Sequence, residues 1–279
     1  MIGKDFTPIN LIDFLKNSEL LNPYKEHFEM YVTDFAFKAV DLWSSDKEKA
    51  YENASLFVEH VPESILLEFM KLIDNLKEID PEGLMEIVKE LEYKTKYEFE
   101  KELIAFPKAI AYFYQFDMDD CINECKNIIK LYGNFNEIHF LIANCHTIKL
   151  RYDEAIPHFK YAIKSEQFGN EAKGNLAYCY LMLRKTRKAK RLFKEVVDIF
   201  STNYKIQYNM ALCYSRLRRR KKALVYLDRA ENIESEFGGI YLTRGHIHLI
   251  LGNKELAKKD LKKAKSLGST KADELIKRL

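Results

Sequence analysis

The chain has 279 residues, and 47% of them are hydrophobic, so it can build a folded core and is not a disordered protein. Its formal net charge is only +3, and the sequence has no run of about 18 uncharged apolar residues that could span a membrane. The first residues carry acids within their apolar stretch and lack a small-residue cleavage site, so we expect no signal peptide and a cytoplasmic location.

Residues 1–101 predict an acidic, helical N-terminal region without a strict repeat. Ser45 or Asp46 is expected to cap a helix that runs to about His60. Elsewhere in this region a capping residue stands directly before a proline, which is typical of a helix start. These pairs are Thr7-Pro8, Asn22-Pro23 and Asp80-Pro81.

Two further prolines mark expected helix boundaries. Pro62 is expected to open a helix near residues 62–78, and Pro107 to end or kink the helix that follows Pro81, because proline lacks a backbone N–H. Between residues 46 and 63, small and aromatic residues have the spacing of the second helix of the repeats that follow. A degenerate repeat and a plain helical cap both remain open for this region.

From residue 102 onward, small and apolar residues recur with a period of 34 residues. This constant spacing, without insertions, predicts one supersecondary unit stacked five times, over 102–135, 136–169, 170–203, 204–237 and 238–271. Residues 271–279 are expected to form a C-terminal capping helix. Three registers carry the period: Ala109, Ala143, Ala177, Ala211 and Gly245; Cys121, Ala155, Ala189, Ala223 and Ala257; Cys125, Phe159, Phe193, Leu227 and Leu261.

Each unit predicts a helix, a tight turn and a second helix. In residues 204–237, two sets of apolar residues at helical spacing flank a polar stretch from Arg216 to Lys222. The small residues Ala211 and Ala223 allow the two helices to approach closely. One such hairpin cannot bury its apolar face alone, so neighbouring hairpins are expected to stack on it.

This unit resembles the tetratricopeptide repeat, whose 34-residue pattern has a small residue at position 8, Tyr at 11, Ala at 20 and an aromatic at 24. Residues 170–203 match it with Ala177, Tyr180, Ala189 and Phe193, whereas the family's tryptophan at position 4 and proline at position 32 are absent. The resemblance implies an all-α fold, a tetratricopeptide-type α-solenoid in which antiparallel helix pairs form a right-handed superhelix. It also implies a scaffold for protein–protein interaction.

In this family the first helices of the repeats line a concave groove that binds ligands. Apolar, aromatic and amide side chains at the corresponding positions suit an extended peptide or a helix. Asn144, Asn175 and Lys205 also match a clamp with which some members hold the carboxylate of chaperone tails, but Phe140 and Asn209 replace its other two cations. We therefore do not expect chaperone-tail binding. The candidate groove residues are Phe140, Asn144, Asn175, Tyr178, Lys205, Tyr208, Asn209 and His246.

Charge separates the two ends of the sequence. Residues 1–100 carry 22 acids and 11 bases, whereas residues 170–279 carry 11 acids and 26 bases. Bases gathered at the turns predict a basic ridge, for which a solvated surface, an acidic partner (including another copy of this chain) and nucleic acid are the alternatives. The ridge candidates are Arg184, Lys185, Arg187, Arg216, Arg218, Arg219 and Arg220.

The sequence has no phosphate-binding glycine loop, no nucleophile elbow and no zinc-protease motif. Asp117, Asp119 and Asp120 lack the glycine and glutamate of a calcium loop. The five cysteines fall at packing positions and are expected to be buried and reduced. We therefore expect no enzyme, no cofactor and no metal. A protein or peptide partner is expected, and homo-oligomerisation is left open.

Overall fold

The computed structural model describes residues 45–61, 64–75, 81–166, 168–277 and 279. Within these residues the chain is all-α, with fourteen helices and no strand. It divides into two compact units, Ile2–Leu150 and Arg151–Leu279, which we call the N-terminal and C-terminal units.

The N-terminal unit contains six described helices: α1 (Lys47–His60), α2 (Leu66–Asn75), α3 (Pro81–Lys94), α4 (Glu98–Tyr114), α5 (Met118–Tyr132) and α6 (Asn136–Ile148). The C-terminal unit contains eight: α7 (Tyr152–Ala162), α8 (Gly169–Met182), α9 (Thr186–Val196), α10 (Tyr204–Arg216), α11 (Arg220–Ile233), α12 (Gly238–Ile250), α13 (Lys254–Ser266) and α14 (Thr270–Ile276). The helix α14 lies in the segment expected to form a cap.

The start of α1 confirms the expected cap, since an Asp46 carboxylate oxygen accepts a hydrogen bond from the backbone N–H of Lys49 at 3.2 Å. The helix α2 begins at Leu66, later than the expected start at Pro62, and the Ser64 hydroxyl accepts from the Leu66 N–H at 3.2 Å. Pro81 is the first residue of α3, as expected of a first-turn proline. The signals at Thr7-Pro8 and Asn22-Pro23 lie outside the described residues.

Pro107 does not end its helix, and the kink that was the other expectation stays a prediction. Pro107 lies inside α4, which continues to Tyr114. A proline within a helix removes one hydrogen bond at a substantial cost. The neighbouring side chains of Phe106 and Ile110 are fully buried in the core, and this burial offsets the lost bond.

The 34-residue registers form the interior of both units. All fifteen of their residues are buried, including the large side chains of Phe159 and Phe193. At Gly245 an added Cβ would lie 2.9 Å from Cγ of Leu261, so the small residue is what permits α12 and α13 to pack closely. In the C-terminal unit the helices pack in antiparallel pairs, and α8, α10 and α12 also pack in series.

All five cysteines are buried and none is in a disulfide. The sulfurs of Cys121 and Cys145 lie 3.4 Å apart between α5 and α6. Hydrogen bonding among the thiols of Cys125, Cys121 and Cys145, together with burial, raises the pKa of Cys121 and Cys145. The Cys121 and Cys145 thiols therefore stay neutral, and all five cysteines pack as small buried groups, as the sequence predicted.

The turn within each repeat contains a residue with a left-handed backbone. Its φ lies between 58° and 63° at four non-glycine positions and is 78° at Gly252. In the fourth repeat the N–H of Arg219 bonds to the carbonyl of Tyr214, five residues back, at 2.9 Å. A left-handed residue just after the helix makes this bond possible. The four non-glycine positions are Phe116, Leu150, Arg184 and Arg218, each 34 residues from the next.

Glycine at such a turn is expected to stabilise the protein. The left-handed conformation costs a non-glycine residue about 1–2 kcal/mol, and glycine avoids this cost. Glycine also loses more backbone entropy on folding, which offsets part of the gain, so Arg218→Gly should raise the free energy of unfolding by about 1 kcal/mol. Lys258→Gly removes a positive charge from an exposed position inside α13 and should lower it by about 1 kcal/mol. Urea unfolding followed by circular dichroism measures both, and destabilisation by Arg218→Gly would contradict the expectation.

Candidate functional site

The first helices of the repeats in the C-terminal unit present a row of side chains that the core leaves partly exposed. Tyr178 lies on α8, Tyr208 and Leu212 on α10, and Leu242 and Leu249 on α12, and all five are half-buried. We call this surface the first-helix face. It combines aromatic and aliphatic area on three successive helices.

Contacts between neighbouring first helices fix this face. The Tyr208 hydroxyl lies 3.2 Å from Oγ1 of Thr243, which joins α10 to α12. The ring of Tyr208 packs edge-on against Phe237, with ring centroids 5.1 Å apart. The guanidinium of Arg216 donates to the carbonyl oxygen of Leu181 and so joins α10 to the end of α8. The face is therefore built on packed helices rather than on mobile loops.

Burial keeps the tyrosine hydroxyls of the face protonated. It raises the pKa of Tyr178 to about 12, with a smaller effect of Tyr152, and it raises the pKa of Tyr208. Tyr152 and Tyr178 also pack edge to face, with ring centroids 6.0 Å apart. At neutral pH both hydroxyls are therefore protonated and uncharged.

The eight predicted groove residues differ in how much of each side chain is exposed. Asn175, Tyr178, Lys205 and Tyr208 are half-buried in the C-terminal unit, and His246 is exposed there. Asn209 is only 5% exposed, so it offers a ligand almost no surface. Phe140 and Asn144 belong to the N-terminal unit and are 5% and 2% exposed. Asn209, Phe140 and Asn144 could therefore contact a ligand only if the side chains around them repacked.

The predicted basic ridge is exposed at two turns of the C-terminal unit. Arg184, Lys185 and Arg187 are exposed beside α9, and Arg218 and Arg219 beside α11, where Arg220 is half-buried. Lys185 pairs with Asp153 at 3.6 Å. Among the described residues, Arg218, Arg219 and Arg220 have no carboxylate within ion-pair distance. Arg216 differs, because its guanidinium holds two helices together.

Sequence reasoning missed a charged cluster centred on Arg244 of α12. Its guanidinium makes two bonds to Asp260, at 2.9 and 3.0 Å, one to Asp228 at 2.9 Å and one to Glu231. Burial disfavours the charged form of Arg244 and so lowers its pKa. The hydrogen bonds to Asp260 and Glu231 outweigh this effect, and the pKa of Arg244 lies above its ordinary value. Arg244 thus joins α12 to both α11 and α13 with four charge-assisted bonds.

The cluster could have been predicted by comparing equivalent positions of the repeats. Arg244 occupies position 7 of the last repeat, where the three preceding repeats have Ile142, Leu176 and Met210. Its partner Asp260 occupies a position held by Leu192 in the third repeat. An ion pair in place of an apolar pair marks the last repeat as different from the others.

Acid is expected to weaken this cluster through Glu231. The hydrogen bond from Arg244 lowers the pKa of Glu231 below its ordinary value. A carboxyl group with a lowered folded-state pKa adds stability that is present above the unfolded-state pKa of about 4.3 and is lost as pH falls through the folded-state value.

The measurement compares the wild type with the Arg244→Leu, Asp260→Leu double variant, which has the apolar pair of the third repeat. Urea unfolding at pH about 7 and about 3 should show a larger acid-induced loss of stability in the wild type. An equal loss in both proteins would contradict the expected role of Glu231.

In the part of the chain that the structure describes, no three histidine, cysteine or acidic residues are grouped so that they could hold a metal ion. No helix among these residues is both long enough and apolar enough to cross a membrane.

Comparison with known proteins identifies the repeats. Models of the tetratricopeptide repeat family match residues 175–203 and 239–267, which lie in the third and fifth repeats. No curated protein matches the chain in sequence.

Solved structures share the fold at low sequence identity. MamA 41-end from Desulfovibrio magneticus RS-1 is 14% identical with a TM-score of 0.56, covering 60% of this chain and 94% of that one. Another MamA structure is 20% identical with a TM-score of 0.54, covering 62% and 95%. YrrB, described as a TPR protein with an unusual peptide-binding site, is 14% identical with a TM-score of 0.56, covering 71% and 100%. The fold class is the all-α tetratricopeptide-type solenoid, and residues 175–203 and 239–267 of the chain match the tetratricopeptide repeat.

Proposed function

We propose that the chain is a protein–protein interaction scaffold whose first-helix face binds a peptide segment or a helix of a partner protein. One observation carries this proposal: Tyr178, Tyr208 and Leu242 lie on three successive first helices and keep apolar area that the core does not bury. Rigid aromatic side chains of this kind supply contact area at a low entropic cost.

The likeness to known proteins supports this proposal. YrrB, which has a similar fold, is described as having a peptide-binding site. Proteins of the tetratricopeptide family are generally non-enzymatic scaffolds, and we propose the same for this chain. Its free, buried cysteines are consistent with a reducing compartment such as the cytoplasm.

The alternative, a basic ridge that binds nucleic acid, is not favoured. Single strands bind most strongly where exposed aromatic rings stack on bases. The tyrosines nearest the basic turns are engaged within the protein: Lys188 lies 5.6 Å from the ring centroid of Tyr180 and Lys222 lies 5.9 Å from that of Tyr214. Among the described residues, these two tyrosines are therefore already engaged by lysines of the protein itself.

A peptide library displayed on phage and selected on the full chain tests the proposal. For a selected peptide, the Tyr178→Ala, Leu242→Ala double variant should weaken binding at least about tenfold, as measured by isothermal titration calorimetry. Tyr226→Ala removes a half-buried tyrosine from α11, a second helix, and should leave the Kd unchanged. The proposal fails if Tyr226→Ala weakens binding as much as the double variant, or if no peptide is selected.

A further inference from the structure

Phe116 lies in the turn between α4 and α5 of the N-terminal unit. It has a left-handed backbone with φ of 63°, and its side chain is 74% exposed. The fifth repeat has Gly252 at the equivalent place. A bulky residue with positive φ is strained, and an exposed aromatic ring gains little from folding. Within the described residues, the ring of Phe116 makes no aromatic or cation–π contact that would offset these costs.

Three acidic residues closely follow Phe116 in the sequence. Asp117, Asp119 and Asp120 are all exposed at the start of α5. Asp119 forms an ion pair with Lys149, whereas Asp117 and Asp120 have no ion pair among the described residues. We call Phe116 and these three aspartates the acidic turn. It presents one apolar group beside two unpaired carboxylates.

The C-terminal unit contains a surface depression of complementary character. Its volume is about 440 Å³, and it is lined by Leu251 and five consecutive bases, Arg218–Lys222. Leu251 is 43% exposed, so the depression has an apolar wall within a cationic rim. We call it the cationic depression. Clefts of this size accommodate a side chain the size of an aromatic ring.

The positive charges of the cationic rim lower the stability of the folded protein. Arg220, Lys221 and Lys222 occupy the first turn of α11, which contains no acid. Positive charges at this end of a helix are repelled by the helix dipole. Lys222 lies over the ring of Tyr214, but Arg218–Lys221 have no acidic partner among the described residues. An acidic ligand would relieve this repulsion.

We propose that the acidic turn of one copy of the chain binds in the cationic depression of a second copy. Phe116 would contact Leu251, and the aspartates would pair with the basic rim. Each surface lies wholly within one unit, and each supplies the charge and the apolar group that the other can accept. A protruding apolar group that fits a depression elsewhere on the molecule gives a head-to-tail contact between copies. Because a turn buries little area, we expect a Kd of about 10–100 µM.

Sedimentation velocity of the full chain over a range of concentrations tests this proposal. The wild type should associate with rising concentration, and raising sodium chloride from about 0.05 M to about 0.5 M should weaken association at least about tenfold. Phe116→Ala should do the same at low salt. The matched control is Leu150→Ala, which changes an exposed residue with the same backbone conformation at the next turn and should leave association unchanged.

Mixing two defective variants gives the sharpest result. Phe116→Ala keeps the cationic depression, and an Arg219→Glu, Arg220→Glu variant keeps the acidic turn. Each alone should be monomeric, whereas their mixture should form a one-to-one heterodimer. Lys258→Glu, Lys262→Glu makes the same change in charge on exposed positions of α13 and should associate like the wild type. A wild type that stays monomeric at every concentration, or a mixture that fails to form the heterodimer, overturns the proposal.

Discussion

Replacing Arg244 with leucine is expected to lower the free energy of unfolding of the C-terminal unit by about 3 kcal/mol, because breaking a buried ion pair leaves an unpaired charge. The Arg244 side chain is 14% exposed and that of Asp260 only 8%. After the substitution Asp260 remains in the interior without its guanidinium partner. Asp228 is 60% exposed and remains solvated, so Asp260 carries most of the cost.

The Arg244→Leu, Asp260→Leu double variant is expected to recover most of that loss. The third repeat folds with leucines at both positions, Leu176 and Leu192. Replacing a whole buried ion pair with apolar residues is often neutral or stabilising. Urea unfolding of wild type, both single variants and the double variant gives the coupling energy. A double variant as unstable as the sum of the single variants would contradict this account of the cluster.

Replacing Phe193 with alanine is expected to cost about 4 kcal/mol, since a fully buried phenylalanine leaves a large cavity. Phe193 lies on α9 and is 0% exposed in the core that runs through α8, α10 and α11. Because stacked repeats are held by their neighbours, the loss should also loosen the adjacent helices. Hydrogen exchange read by mass spectrometry should show faster exchange in α8–α11.

The control for this prediction lies six residues further along the chain. Ile199 is 57% exposed, and Ile199→Ala should change stability by less than about 0.5 kcal/mol. Equal effects of the two substitutions would show that the 34-residue register does not mark the core of this unit. Hydrogen exchange is preferred to a single melting temperature because the chain has two units and need not unfold in one step.

The stacked hairpins could be predicted because a period depends only on which positions are small or apolar. Ala211 and Phe193 are buried for the reason that the pattern indicated. The turn conformation could not be predicted, because Phe116 and Arg218 adopt a backbone that sequence rules assign to glycine. There the helix-ending hydrogen bond outweighs the steric cost of a side chain.

The candidate site was harder to predict than the fold. Position within a repeat indicates which side of a helix a residue lies on, but neighbouring helices decide how much of it stays exposed. Tyr178 and Asn209 were both expected in the groove, yet only Tyr178 keeps appreciable exposed area. The Arg244 cluster could not be predicted from the period, because a repeat register indicates the positions that the repeats share, whereas this cluster departs from the shared pattern.

Hydrogen exchange of the full chain with and without a selected peptide tests the central claim most directly. The account predicts that the peptide slows exchange in α8, α10 and α12, the helices of the first-helix face, and leaves α9, α11 and α13 unchanged. Slower exchange confined to α9, α11 and α13 would contradict the claim that the first helices bind the partner.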